Sequence, residues 1–182
     1  IRRISAEACR NLRRLGVKRI TTIAHGAGIG GIDSQASAQA MAEGAILGLY
    51  TFRQHMTKEP EHGEINELSI VESDAAKAQS LNEGVTQGRI VAEAVCLARD
   101  MVNQPSNHLT PTRMAEMAQA VAEKYGLECQ ILDVAAMSEL GMGGLLGVAR
   151  GSHEPPKFIM LHYRGAQVGN SRPTLGLLGK GI

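Results

Sequence analysis

Tryptophan is absent from the 182 residues, and only Tyr50, Phe52, Tyr125, Phe158 and Tyr163 are aromatic. A surface that stacks nucleic-acid bases needs such rings, so their scarcity argues against nucleic-acid binding. Charge of one dominant sign is also missing. The formal net charge is +1, which argues against gripping phosphate backbones or anionic membranes by bulk charge. Cysteines are few: Cys9, Cys96 and Cys129. They are odd in number, far apart and form no Cys-x-x-Cys, which predicts reduced thiols in a cytoplasmic protein rather than a disulfide framework. No apolar run approaches the ~20 residues of a membrane span. The opening Ile1-Arg2-Arg3-Ile4-Ser5 is neither an initiator methionine nor a signal peptide. The last residues stop inside an apolar stretch. Both ends read as cuts rather than natural termini.

Several catalytic signatures are missing as well. His25, His55, His62, His108, His153 and His162 make no His-x-x-x-His pair and no His-Glu-x-x-His, so no histidine metal site is legible. His162 alternates within an apolar stretch and reads as a packed core residue, and His108 as a loop residue. No serine is flanked as in G-x-S-x-G. Around Lys180, Thr174 stands where a P-loop needs its first glycine and Gly181 where it needs a hydroxyl. On spacing alone, Lys180 is a solvated residue at a strand end.

What is present suits a folded α/β protein. Hydrophobic residues make up 43% and charged ones 20%, outside the disordered range. Ser5 can cap a first helix that stops at Gly16. Residues 17–24 suit a strand. A glycine-rich stretch follows, and Ser34 can cap a long helix with Ala38, Met41, Ala45, Leu49 and Phe52 at helical spacing. Residues 58–64 read as a loop and 65–71 as a strand. Residues 85–102 carry apolar side chains on most sides, which predicts a helix buried on most sides and joining two domains. Thr110 caps the next helix, with Pro111 at its first position. Met114, Met117, Ala118, Val121 and Tyr125 line one face, and Gly126 stops it. A strand at 127–133, a short helix at 135–140 ending at Gly141, and strands at 158–163 and 174–178 complete the reading. The last two look apolar on both faces, as in the middle of a covered sheet.

Gly26, Gly28 and Gly31 fit G-x-G-x-x-G between a predicted strand and a helix. The acidic residue that completes a dinucleotide site should follow about 20 residues on, and the next strand ends far beyond that. A structural turn is the simpler reading. A nucleotide or ADP-ribose-like ligand held by the 26–31 turn is the alternative function, and a purely structural assembly domain is another.

A resemblance carries the reading further. Ala98-Arg99-Asp100-Met101-Val102-Asn103-Gln104-Pro105-Ser106-Asn107 with Leu109-Thr110-Pro111 resembles a segment of the leucyl aminopeptidases. So does Gly141-Met142-Gly143-Gly144 with Leu146, Val148, Gly151-Ser152 and Glu154-Pro155-Pro156. His162-Tyr163-Arg164-Gly165 and Leu178-Gly179-Lys180-Gly181-Ile182 are similar to two further segments of that family, in the same order. The resemblance implies an N-terminal macro-like α/β domain over 1–84, a linker helix over 85–102, and the beginning of a second α/β, catalytic domain over 103–182. It implies a cytoplasmic metallo-exopeptidase that removes N-terminal residues such as leucine from peptides and assembles as a homo-hexamer. Two divalent ions are implied, zinc or manganese, with magnesium and cobalt also compatible. Lys180 falls on the family's metal-binding lysine. The remaining donors would lie beyond Ile182, so no catalytic residue is expected within this chain and no activity from it alone. A lysine ligand must be neutral, whereas free lysine has a pKa near ~10.4, so only a bound dication and dry surroundings make it a donor.

Overall fold

The computed structural model describes residues 1–165 and 174–181. The chain forms two compact units, Ile1–Gln104 and Pro105–Ile182. Both are built from helices and short strands, so the class is α/β.

The first unit begins with α1, Arg2–Arg14. Its N-cap is Ile1 rather than Ser5. Ser5 lies inside the helix and is buried. Its hydroxyl is small enough to let α1 approach a neighbouring helix, which the capping rule alone does not reveal. The stop is as expected. Gly16 has φ of +77°, its N–H donates to the Arg13 carbonyl, and that of Val17 donates to the Leu12 carbonyl. This double bond pattern satisfies the last carbonyls and needs a left-handed residue, hence glycine.

Strand β1, Arg19–Ile23, pairs in parallel with β2, Glu67–Val71, in the register Arg19 to Glu67 and Ile23 to Val71. Between them runs α2, Ser34–Leu49. Its N-cap is Asp33, one residue before the serine that the sequence suggests; the Asp33 carboxylate accepts from the Ala36 N–H at 2.7 Å. After a single 3-10 turn at Ala75–Lys77 comes α3, Ala78–Asn103. It starts well before residue 85.

Helix α2 packs against both α1 and α3, and small residues make this possible. A Cβ placed on Gly48 would meet Ala6 of α1 at 2.7 Å, and one on Gly88 would meet the Gln39 carbonyl of α2 at 2.5 Å. Gly44 and Gly84 make equally close approaches, to Arg2 and Gln35. The core here is Cys9, Ala38, Met41, Ala42, Ala45, Leu81 and Ala92. The expectation that α3 is buried on most sides is corrected. Only Leu81, Gly84, Gly88 and Ala92 are buried, and Ile90, Val91, Leu97 and Val102 are exposed. Close helix packing selects the small face, not the bulky one.

In the second unit Thr110 caps α4, Pro111–Tyr125. Its hydroxyl accepts from the Arg113 N–H at 3.2 Å, and Pro111 opens the first turn. The buried positions are Ala115 and Ala122, whereas Met114 and Tyr125 are exposed. The true inward face is therefore rotated from the methionine stripe, again because small side chains allow the closest packing. Strand β3, Glu128–Leu132, pairs antiparallel with β4, Phe158–His162. Helix α5, Val134–Glu139, and α6, Gly143–Ala149, lie between them in sequence. No helix was expected over α6, because glycine is a poor helix former. The fully buried Met137 anchors this unit.

The strand expected at 174–178 does not form. Residues 174–180 adopt no regular structure. A strand exists only through a paired neighbour, and no described segment pairs with this one. Likewise β4 is not covered on both faces: Met160 and Leu161 are exposed.

Candidate functional site

Lys180 is exposed, in a stretch without secondary structure. Around it Leu175, Leu177 and Leu178 are 82%, 90% and 94% exposed. Three leucines this open belong to a segment whose packing partner is not among the described residues. Ile182, the last residue of the lysine motif, lies outside the described residues. A dication needs several anionic or neutral donors at once. Among the described residues no group of three or more His, Cys, Asp or Glu could hold a metal ion. The described residues therefore do not by themselves fit a metal centre.

The glycine turn occupies residues 26–31, after β1 and before α2. Two of its amides, those of Gly28 and Ile29, are engaged within the turn. Gly28 donates to the Ile32 carbonyl at 2.8 Å, Ile29 to that of Gly26, and Ile32 to that of Ile29. Below it, the Ser37 hydroxyl donates to the His25 carbonyl at 2.8 Å, and His25 Nε2 lies 2.8 Å from Thr22 Oγ1. The helix end that would attract a phosphate is filled by the Asp33 carboxylate, which repels an anion. This geometry favours the structural turn over a nucleotide cradle.

The segment 98–107 is tied to the residues that end and follow α2. The Tyr50 hydroxyl donates to Asp100 at 2.8 Å, and the Asn103 amide donates to Tyr50 at 3.2 Å. The Arg99 guanidinium lies 5.4 Å from the Tyr50 ring centroid and donates to the Leu47 carbonyl at 3.2 Å. Gln104 bonds to Gln54, and its side-chain oxygen lies 2.9 Å from His55 Nε2. Desolvation, then the Asp100 carboxylate, push the Tyr50 phenol pKa up, against the pull of the Asn103 amide. These side chains tie the end of α3 to the end of α2. The sequence pointed to the motif but not to Tyr50, which sits 50 residues from Asp100.

His162 is not a core residue. It is exposed, and Nδ1 lies 3.2 Å from Glu128. Arg164 reaches the same carboxylate at 2.7 Å. The Arg164 guanidinium, then His162, hold the Glu128 carboxyl below its usual range. Cross-strand pairing places this trio together: Glu128 is directly opposite His162. His108 is in a turn-rich loop, as expected.

Comparison with known proteins adds what the geometry alone does not. Residues 96–182 match the model described as "Cytosol aminopeptidase family, catalytic domain". A probable cytosol aminopeptidase of Alkaliphilus metalliredigens is 40% identical over 184 aligned residues, covering 100% of this chain and 36% of that protein. One from Aquifex aeolicus is 37% identical over 182 residues, covering 100% and 34%. Among solved structures, a bottromycin maturation enzyme, BotP, in complex with Mn superposes with a TM-score of 0.76 and 32% identity, over 90% of this chain and 32% of that one. A mutant of tomato leucine aminopeptidase gives 0.78 and 25%, over 92% and 34%. The chain thus spans about a third of the length of the relatives it matches.

Proposed function

Since the chain belongs to the cytosol aminopeptidase family, we propose that it is the front portion of a metal-dependent aminopeptidase that removes N-terminal residues such as leucine from peptides. The observation that carries this is the match of residues 96–182 to the family's catalytic domain. On this reading residues 1–84 form a domain without catalytic groups, 85–102 the interdomain helix, and 103–182 the start of the catalytic domain. The change of unit at Gln104 and Pro105 agrees with a division near there.

Lys180 is then one donor to a two-metal centre. Bound at such a centre, divalent metal would supply Lewis acidity and a more acidic water. The manganese bound by the BotP structure supports metal use in the wider fold family. Zinc or manganese is the proposed resident ion, a homo-hexamer the proposed assembly, and the cytoplasm the proposed location. Among the described residues no helix is long and apolar enough to cross a membrane. Among the described residues no group of three or more His, Cys, Asp or Glu could hold a metal ion, so on this reading the 182 residues alone should not turn over peptides.

The test is hydrolysis of leucine p-nitroanilide by the longer protein and by this chain. Turnover by the longer protein with manganese, lost on chelation and absent from this chain, is the expected result. A longer protein that stays inactive with every divalent ion would contradict the proposal, as would turnover by this chain alone.

A further inference from the structure

We infer that the outward side of α3 is a docking face for the part of the catalytic domain that follows residue 182 in the longer protein. This rests on the reading of the chain as the front portion of a longer family member, but on no catalytic step. Helix α3 has two apolar sides. On the inner side Leu81, Gly84, Gly88 and Ala92 are buried, and the two glycines lie against Gln35 and Gln39 of α2. The outer side carries Ile90, Ala94, Leu97 and Met101 at i, i+4, i+7 and i+11, a single stripe along the helix. At ~100° per residue, Ile90 stands about opposite Gly88 and Ala92.

Val91 and Val102 widen the stripe. Val102 is 85% and Ile90 59% exposed. Val91, Ala94 and Leu97 are open as well, and Met101 is half-buried. From Ile90 to Val102 the stripe runs for about 18 Å, and no charged side chain lies in it. The charges of this stretch are engaged on the flanks. Arg89 pairs with Glu93 at 3.6 Å, while Arg99 and Asp100 turn to Tyr50. Apolar side chains held in a row against water are unfavourable, and a stripe of this length is seldom left uncovered.

Two facts point to the occupant. The chain spans about a third of the length of its relatives, so most of the chain that could cover the stripe lies outside these residues. The match to the family's catalytic domain also begins at Cys96, inside α3. The last two turns of α3 are thus shared. Arg99, Asp100 and Asn103 tie them to the end of α2, yet the family counts them with the catalytic domain. With the inner side occupied by α2, the stripe is the side left for that domain, and Leu97, Met101 and Val102 all fall within the matched residues.

Hydroxyl-radical footprinting of the 182-residue protein and of the longer protein, read by mass spectrometry, tests this. Ile90, Val91, Leu97 and Val102 should be labelled in the 182-residue protein and lose that labelling in the longer one. A photo-cross-linker, Val102→p-benzoylphenylalanine, then identifies the cover. In the longer protein it should link within one chain to residues beyond 182. Equal labelling of the stripe in both proteins would overturn the docking face. So would cross-links between chains, or labelling of the 182-residue protein that fades as its concentration rises, since either would give the stripe to a second copy. Turnover of leucine p-nitroanilide by the same longer protein is read separately. A protected stripe in an inactive protein would support the docking face and contradict the peptidase reading.

Discussion

Cys9, Cys96 and Cys129 are all free thiols, but their surroundings separate them. Cys9 is buried in the α1–α2 packing, and desolvation pushes its pKa up. The thiolate is the reactive form. Cys9 should therefore react with a thiol reagent roughly tenfold slower than Cys96 or Cys129, at a rate set by opening of the unit. Equal labelling of all three in the folded protein would show that α1 does not pack as described. The linkage has a definite sign. A raised thiol pKa contributes stability that is full below the unfolded value near ~8.5 and is lost as pH rises through the folded value. Glu128 runs the other way. Its lowered carboxyl adds stability above the ordinary range near ~4.3, lost as pH falls through the folded value. In an NMR titration, Arg164→Gln should move the Glu128 midpoint upward; an unchanged midpoint would remove the ion pair from the description. At this scale the sequence was most legible where a residue's role is local. Thr110 as a cap and Gly16 as a stop followed from neighbours alone. His162 did not, because its partner comes from a strand 34 residues away.

Helices in the first unit meet through glycine, and this gives opposite signs to similar substitutions. Gly88→Ala pushes a methyl onto the Gln39 carbonyl of α2 and should cost about 1–3 kcal/mol. Gly147→Ala lies in α6, with nothing within 4 Å of the added carbon. It should gain about 0.5–1 kcal/mol through helix propensity. Thr110→Ala removes the α4 cap and should cost about 1 kcal/mol. Denaturant midpoints of the three variants check all three signs; a stabilised Gly88→Ala would mean that α3 stands further from α2 than described. Periodicity located α2 and α4 well and found α3 from residue 85 onward, although that helix begins at Ala78; the parallel pairing of β1 with β2 came from the structure. Periodicity expected α3 to be buried on most sides and the methionine side of α4 to turn inward, because hydrophobicity ranks Ile and Met above Ala, whereas close helix packing ranks them below. It also placed a strand at 174–178 from composition, although a strand requires a partner that composition cannot supply.

For the whole molecule, composition argued against nucleic-acid binding and bulk-charge membrane binding without assigning a function, and four ordered motifs pointed to the family. Lys180 enters the proposed metal site through the motif resemblance alone; the structure leaves it exposed in a stretch without secondary structure. On the proposed reading, the three open leucines beside Lys180 would be packed in a longer protein. Metal stoichiometry in that longer protein, measured by calorimetric titration with manganese for the parent and for Lys180→Ala, tests the assignment most directly. The parent should bind two ions per chain and hydrolyse leucine p-nitroanilide, while the variant keeps its fold, loses at least one ion and loses turnover. A variant that binds two ions with unchanged affinity and retains full activity would contradict the placing of Lys180 in a metal centre.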